Sequence, residues 1–340
     1  MKNVRLLALF LCVVLTIGLV GCNSKDDKKE EKKTENVKEN KEDDTKKYVA
    51  FITDVGSIDD SSFNAGVWSG VKEFADEKGY KSDYYKSLED SYEARADAID
   101  KAAKEKADII VCAGSLFENV IYDKQNEYKE TEFLIIDGEP KNKEGNVKFN
   151  KNVHSILFKE EESGYLAGYV AVKEGYRKLG FLGGMDVKAV VYFGYGFVQG
   201  AEAAAKELKL KDVEVEYKYT GTFQPSEKIR DDVNKWYKDG TEIIFSCGGG
   251  ILYSVIDAAG EKKDREIIGV DVDQANESEK IVYSAMKELK TSVYTALIDY
   301  SKDCIWPKDR EGKSIKVGVK EKGVGLSATK DSWRIDKVSI

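Results

Sequence analysis

The chain reads as an α/β protein of two lobes, each a parallel sheet flanked by helices, and three observations carry that reading. Short apolar runs alternate with amphipathic segments, which is the β-α-β-α pattern of a parallel sheet covered on both faces. Runs such as 48–53, 108–112 and 243–247 are nearly continuous in apolar residues, as strands buried on two sides must be. The rhythm also stops and begins again near residue 165, so two units of similar size are implied.

In order, residues 48–53 form a strand, and 63–78 a helix whose apolar positions Val67, Trp68, Val71, Phe74 and Ala75 fall on one face before Gly79 ends it. A strand at 81–85, a helix at 92–103, a strand at 108–112, a helix at 119–128 and a strand at 133–136 complete the first unit. The second has a helix at 165–172, a strand at 179–182, an alanine-rich helix at 197–208 and an alternating strand at 213–219. It continues with a helix at 227–237, a strand at 243–247, a helix at 253–259 and a strand at 267–270. A late helix at 294–304 and short strands near Ile315 and Val324 suggest lobes that exchange strands.

The N-terminus has its own logic. Lys2 and Arg5 precede an apolar run from Leu6 to Val20 that stops at Leu19-Val20-Gly21-Cys22, the layout of a bacterial lipoprotein signal with Cys22 as the lipidated residue. Residues 1–22 are therefore expected to be the signal and 23–47 a tether. The tether is almost wholly Lys, Glu, Asp, Asn, Ser and Thr, with Val37 its only apolar residue, and cannot bury enough surface to offset its ordering entropy. The mature chain is expected on the outer face of a cell membrane, held by lipid.

Composition excludes several classes. With 54 Lys and Arg against 62 Asp and Glu the formal net charge is -8, which argues against a nucleic-acid partner. His154 is the only histidine, and Cys112, Cys247 and Cys304 lack metal or redox spacing, so neither a metal site nor a disulfide framework is expected. Cys112 and Cys247 read as buried free thiols.

In open α/β sheets ligands bind beyond the carboxyl ends of strands. The residues there are Asp54 through Asn64, Gly114-Ser115, Asp137-Gly138, Gly183-Gly184-Met185, Gly248-Gly249-Gly250 and Asp271-Val272-Asp273-Gln274. Glycines admit backbone groups to a ligand and carboxylates accept from hydroxyls, so a neutral or cationic polyhydroxy ligand suits this set. A phosphate does not, since the rim is acidic and no phosphate-binding glycine motif is present.

Four motifs then carry a resemblance: FITDVGSIDDSSFN at 51–64, FGYGFVQGAE at 193–202, GVDVDQ at 269–274 and SAMK at 284–287. Together, in this order and behind a lipobox, they resemble the basic membrane protein family of substrate-binding lipoproteins, known chiefly as purine nucleoside receptors of ABC importers. The resemblance implies a type I periplasmic-binding fold with three crossovers: 48–156 with 288–318 as one lobe, 157–287 with 319–340 as the other. It implies that Phe63 stacks on a purine, that Asn64 reads the base edge, and that Asp271 and Lys287 hold ribose hydroxyls. Asp54 matches the family's strand-end acid, Gly248 or Gly249 would offer backbone groups nearby, and Gly114 is a further ligand-binding candidate. The second ring comes from the run Tyr192, Phe193, Tyr195, Phe197, with Phe193 favoured and Tyr195 open. A monomer that hands ligand to a permease, uses no cofactor and breaks no bond is expected.

Plainer readings stand beside these. Phe63 and Phe197 could be core residues, Asp59, Asp60 and Ser61 helix caps, Asp273 and Gln274 turn residues, and Lys287 a solvent-facing strand end. A receptor for another heterocycle or a ligand-responsive sensor shares the fold. A nucleoside hydrolase is disfavoured: setting the final pair of its Asp-x-Asp-x-x-x-Asp-Asp motif on Asp59 and Asp60 puts Thr53 and Val55 where its first two acids belong.

Overall fold

A computed structural model describes residues 46–339; the expected signal, Cys22 and all but the last two residues of the expected tether lie outside the described residues. The first sheet holds β1 (Tyr48–Thr53), β2 (Lys81–Lys86), β3 (Ile109–Ala113), β4 (Glu132–Ile136), β5 (Val153–Phe158) and β11 (Lys313–Val317). Their spatial order is β11-β5-β4-β3-β1-β2, every pair parallel. The helices α1 (Phe63–Lys78), α2 (Tyr92–Lys104), α3 (Glu118–Glu127) and α8 (Leu289–Ser301) contribute to its two cores.

The second sheet repeats that plan with β6 (Lys178–Gly183), β7 (Glu214–Tyr219), β8 (Ile243–Cys247), β9 (Glu266–Asp271), β10 (Ile281–Lys287) and β12 (Val324–Leu326), in the order β12-β10-β9-β8-β6-β7. Its helices are α4 (Glu160–Glu174), α5 (Lys188–Glu207), α6 (Glu227–Lys238) and α7 (Ile251–Ala259). Only β12 runs antiparallel to its neighbour. The chain thus passes between the sheets three times, after β5, after β10 and after β11.

Burial on both faces explains the apolar runs. Val49, Phe51, Val111 and Leu134 pack under α1 and α8, while Ala50, Ile52, Ile110, Phe133 and Ile135 pack under α2 and α3. Each fully buried side chain of this size contributes about 1.5–3 kcal/mol, so neither face can be polar.

Several elements differ from the sequence reading. Strand β5 was hidden because His154 and Ser155 interrupt its apolar character, yet both are buried with partners elsewhere in the chain: His154 Nδ1 lies 3.0 Å from the Lys313 carbonyl and Ser155 Oγ donates to Gly138 O at 2.6 Å. Helix α5 begins at Lys188, not at 197, so Phe197 lies in mid-helix, fully buried against Phe181 and Phe245. Its glycine-rich first half is helical because α4 crosses it at backbone contact. A Cβ at Gly164 would sit 2.1 Å from the Phe193 carbonyl oxygen, and one at Gly196 would sit 2.2 Å from that of Glu161. Helix α4 likewise starts early, at Glu160, where three successive acids favour a helix N-terminus. Cys112 and Cys247 are buried free thiols, as expected.

Candidate functional site

The carboxyl ends of both sheets face one cavity of about 210 Å³. The first lobe lines it with Asp54 beyond β1, Phe63 and Asn64 opening α1, Gly114 beyond β3 and Asp137 beyond β4. The second lines it with Phe193 of α5, Gly248 beyond β8, and Asp271 and Lys287 at the ends of β9 and β10. Tyr195 is the exception among the candidates. Two residues beyond Phe193 on a helix, it points to the opposite side and is 63% exposed. Phe197 is likewise absent from the lining.

Lys287 is the electrostatic centre. It is 2% exposed, not solvent-facing, and its ammonium bonds Asp137 Oδ2 and lies 3.2 Å from Glu160 Oε1 and 3.9 Å from Asp271 Oδ1. Burial alone would lower its pKa, but the three carboxylates outweigh burial and raise it. Burial pushes Glu160 up to about 8 and Asp271 up to about 6, each partly offset by Lys287. One cation among three acids leaves the group acidic or neutral, which suits hydroxyl donors and repels anions. Asp137 Oδ1 is buried and unpartnered within the protein. The ammonium also lies 5.1 Å from the ring centre of Phe63 and 5.3 Å from that of Phe193, so it brings one aromatic from each lobe to the same place.

A second polar group lies beyond β1. Asp54 Oδ1 accepts from the Gly56 N–H at 2.7 Å and from Asn64 Nδ2 at 3.0 Å, and Asp60 Oδ2 accepts from the same Nδ2 at 2.9 Å. Asp60 also accepts from the backbone N–H groups of Ser62, Asn64 and Ala65, so it does cap α1. Burial pushes Asp54 up to about 6 against the pull of its hydrogen bonds. Gly56 is what lets the group close, because a Cβ there would lie 2.4 Å from Asn64 Nδ2. Gly114, at φ 102, takes a backbone conformation that side chains avoid and brings the chain against Asp54 and Phe63.

The lobes touch directly around the cavity. Ser62 Oγ donates to Asp271 Oδ2 at 2.7 Å, Gln274 Nε2 to Ser61 O at 2.8 Å, and the Ser61 and Tyr253 hydroxyls lie 3.0 Å apart. Asp273 only shapes a turn, accepting from the Ala275 N–H, but Gln274 spans the cleft while also accepting from Val270 N–H. Sequence reasoning passed over Asp137 and Glu160 as site residues. Asp137 carried a readable signal, since it follows a buried strand just as Asp271 does; Glu160 looked like any acid in a first helical turn.

Two strand-exchanging lobes closed on a mixed aromatic and polar cavity define a binding protein of the type I periplasmic class. Among solved structures, an ABC transporter solute-binding protein from Aeropyrum pernix matches with a TM-score of 0.73 at 24% identity, covering 83% of this chain and 76% of that one. A transcriptional activator of the comK gene from Bacillus halodurans matches with a TM-score of 0.63 at 17% identity, over 82% of this chain and 89% of that one, so it shares the fold. Residues 47–339 match the family of ABC transporter substrate-binding proteins described as PnrA-like, and the chain belongs to that family. Its relatives include basic membrane protein A of Borreliella afzelii, 30% identical over 80% of each chain. An ABC transporter nucleoside-binding protein of Lactococcus lactis is 27% identical over 82% of this chain and 80% of its own.

Proposed function

We propose that the protein is the extracytoplasmic receptor of an ABC importer, anchored by lipid on Cys22, and that it captures purine nucleosides between its lobes as a monomer and delivers them to a permease. One observation carries the ligand class: Phe63 and Phe193 reach a single cavity from opposite lobes, beside two separate polar groups. Two rings offer a flat base a stacking partner on each face, worth about 1–3 kcal/mol per contact. Asp54 and Asn64 suit the base edge. Asp137, Asp271 and Lys287 supply the paired acceptors and donor that vicinal hydroxyls need. The excess of acids beside Lys287 favours a nucleoside over a nucleotide. The Lactococcus lactis relative, a nucleoside-binding protein by name, supports the same reading.

The test is calorimetry on the chain lacking residues 1–22, unfolded and refolded to strip any carried ligand, with inosine, guanosine and adenosine. Submicromolar to micromolar binding is expected; no heat and no thermal shift with any of the three would sink the proposal. Long incubation should release neither free base nor ribose, and turnover abolished by Asp54→Ala would instead favour a hydrolase. Cys22→Ala should abolish radiolabelled palmitate incorporation and release the protein from the membrane fraction.

A further inference from the structure

We infer that Ser61 and Gln274 form a clasp between the lobes that touches no ligand, holds part of the ligand-free protein closed, and so scales the affinity for every ligand by one common factor. The inference concerns closure and stands whatever the ligand is. It starts from a division of labour in the run Asp60-Ser61-Ser62 before α1. A serine at a helix N-cap ordinarily turns its hydroxyl back to the helix, and Ser91 and Ser226 do so for α2 and α6. Ser62 does not. Asp60 takes that task through the N–H groups of Ser62, Asn64 and Ala65, which leaves Ser62 Oγ to donate to Asp271 in the other lobe.

Ser61, between them, also reaches across. Its φ of 49 lies in the left-handed region, a conformation that persists in a serine only where its surroundings enforce it. Its carbonyl accepts from Gln274 Nε2 at 2.8 Å, and its hydroxyl lies 3.0 Å from that of Tyr253. Both partners are fixed from behind. Gln274 is 1% exposed, its Oε1 accepts from Val270 N–H at 2.7 Å and its backbone N–H donates to Ser284 Oγ at 3.1 Å, so its amide can offer only the NH2 to the first lobe. The Tyr253 hydroxyl donates to Glu277 Oε2 at 3.1 Å and therefore accepts from Ser61. Neither Ser61 nor Gln274 lines the cavity. Bonds prepared on one lobe, completed only by the other and set apart from the ligand, stabilise the closed form over the open one. A ligand that requires the closed form then binds more tightly in proportion to the closed fraction.

The experiment is small-angle X-ray scattering on the chain lacking residues 1–22, unfolded and refolded without ligand, with wild type set against Gln274→Glu. The glutamate keeps an acceptor for Val270 N–H but turns a second oxygen toward the Ser61 carbonyl. The variant should have the larger radius of gyration, and calorimetry should find inosine, guanosine and adenosine all weakened by one factor of about tenfold. Ser61→Ala removes only the hydroxyl and should move both readings the same way by less, about threefold in affinity. Equal radii for ligand-free wild type and Gln274→Glu overturn the clasp. So does a variant that weakens one nucleoside and spares another, because a contact that only closes the lobes cannot tell ligands apart. If Gln274→Glu does not fold, Ser61→Ala decides by the same two readings. If wild type binds none of the three, the nucleoside reading falls while scattering still decides the clasp.

Discussion

The two lobes lay their sheets in the same order, and equivalent strand ends can be set side by side. Where β4 and β9 finish, both place an aspartate in the left-handed region, Asp137 at φ 59 and Asp271 at φ 67. Such a conformation is sparsely populated for residues other than glycine, and it recurs because it turns both carboxylates toward Lys287. Elsewhere the lobes part company. Beyond β1 stands Asp54 with its amide and capping partners, whereas the equivalent place beyond β6 is Gly184, filled by the Phe223 ring. Strand β5 ends in Phe158 and β10 in Lys287. The backbone plan is repeated while the chemistry is divided, so one lobe presents the acid and amide group and the other supplies the cation.

The sharpest way to break this comparison is at the unequal strand ends. Lys287→Met should cost about 3–5 kcal/mol in urea unfolding, because three buried carboxylates lose their cation. Lys159→Ala, just past the equivalent end in the other lobe, removes only a solvent-screened surface ion pair with Glu162 and should leave urea unfolding nearly unchanged. Similar losses for the two would mean that the cation is not specific to one lobe. The rings come next. Phe193 is 1% exposed and packs edge-on to Phe245, so Phe193→Ala should cost about 3–5 kcal/mol of stability as well as ligand affinity. Phe63 is less buried, and Phe63→Ala should weaken every purine nucleoside by about 1–3 kcal/mol with a smaller stability loss. A Phe63→Ala protein that is badly destabilised yet binds normally would refute the stacked arrangement.

The paired aspartates should behave alike. Asp137→Ala and Asp271→Ala should each erase the preference for nucleoside over free base, a loss of about 1–3 kcal/mol measured by calorimetry with both ligands. If only one does so, the symmetry of the two strand ends is structural and not shared by the ligand. The last effect is in pH. Glu160 is raised in the folded state, by burial first, from 4.5 to about 8, so folding favours its protonated form. Its contribution to stability is complete below about 4.5 and fades as pH climbs toward 8. The melting temperature of ligand-free protein should therefore fall across that window, and Glu160→Gln should flatten the slope.

Much of this architecture was legible because β1, β3, β4 and β8 are covered on both faces and so cannot hide their apolar character. Where a strand carries polar residues with partners distant in sequence, as His154 does with Lys313, the local pattern fails. The start of α5 was missed for a related reason: its glycines are explained only by α4 lying against them. At the site, strand ends pointed to Asp54, Asn64, Gly114, Gly248 and Asp271, which the fold gathers round one cavity together with Phe63, Phe193 and Lys287. Nothing near Lys287 in the chain foretells its burial, since Asp137 is 150 residues away. Tyr195 was kept open only because the helical phase of residues 188–197 was not recognised.

The order in which the chain visits its sheets also sets a timetable. After Phe158 the ribosome must make more than a hundred further residues before β11 and α8 exist, yet β11 is an edge strand of the first sheet, and Leu289, Val293 and Leu297 of α8 help fill its core. At about 5–20 residues per second that is a wait on the order of ten seconds, during which the first lobe lacks one whole covering helix. The second lobe is nearly complete first and can begin to fold while the other stays loose. The export proposed above would gain from that delay, because the first lobe stays incomplete until α8 and β11 have been synthesised.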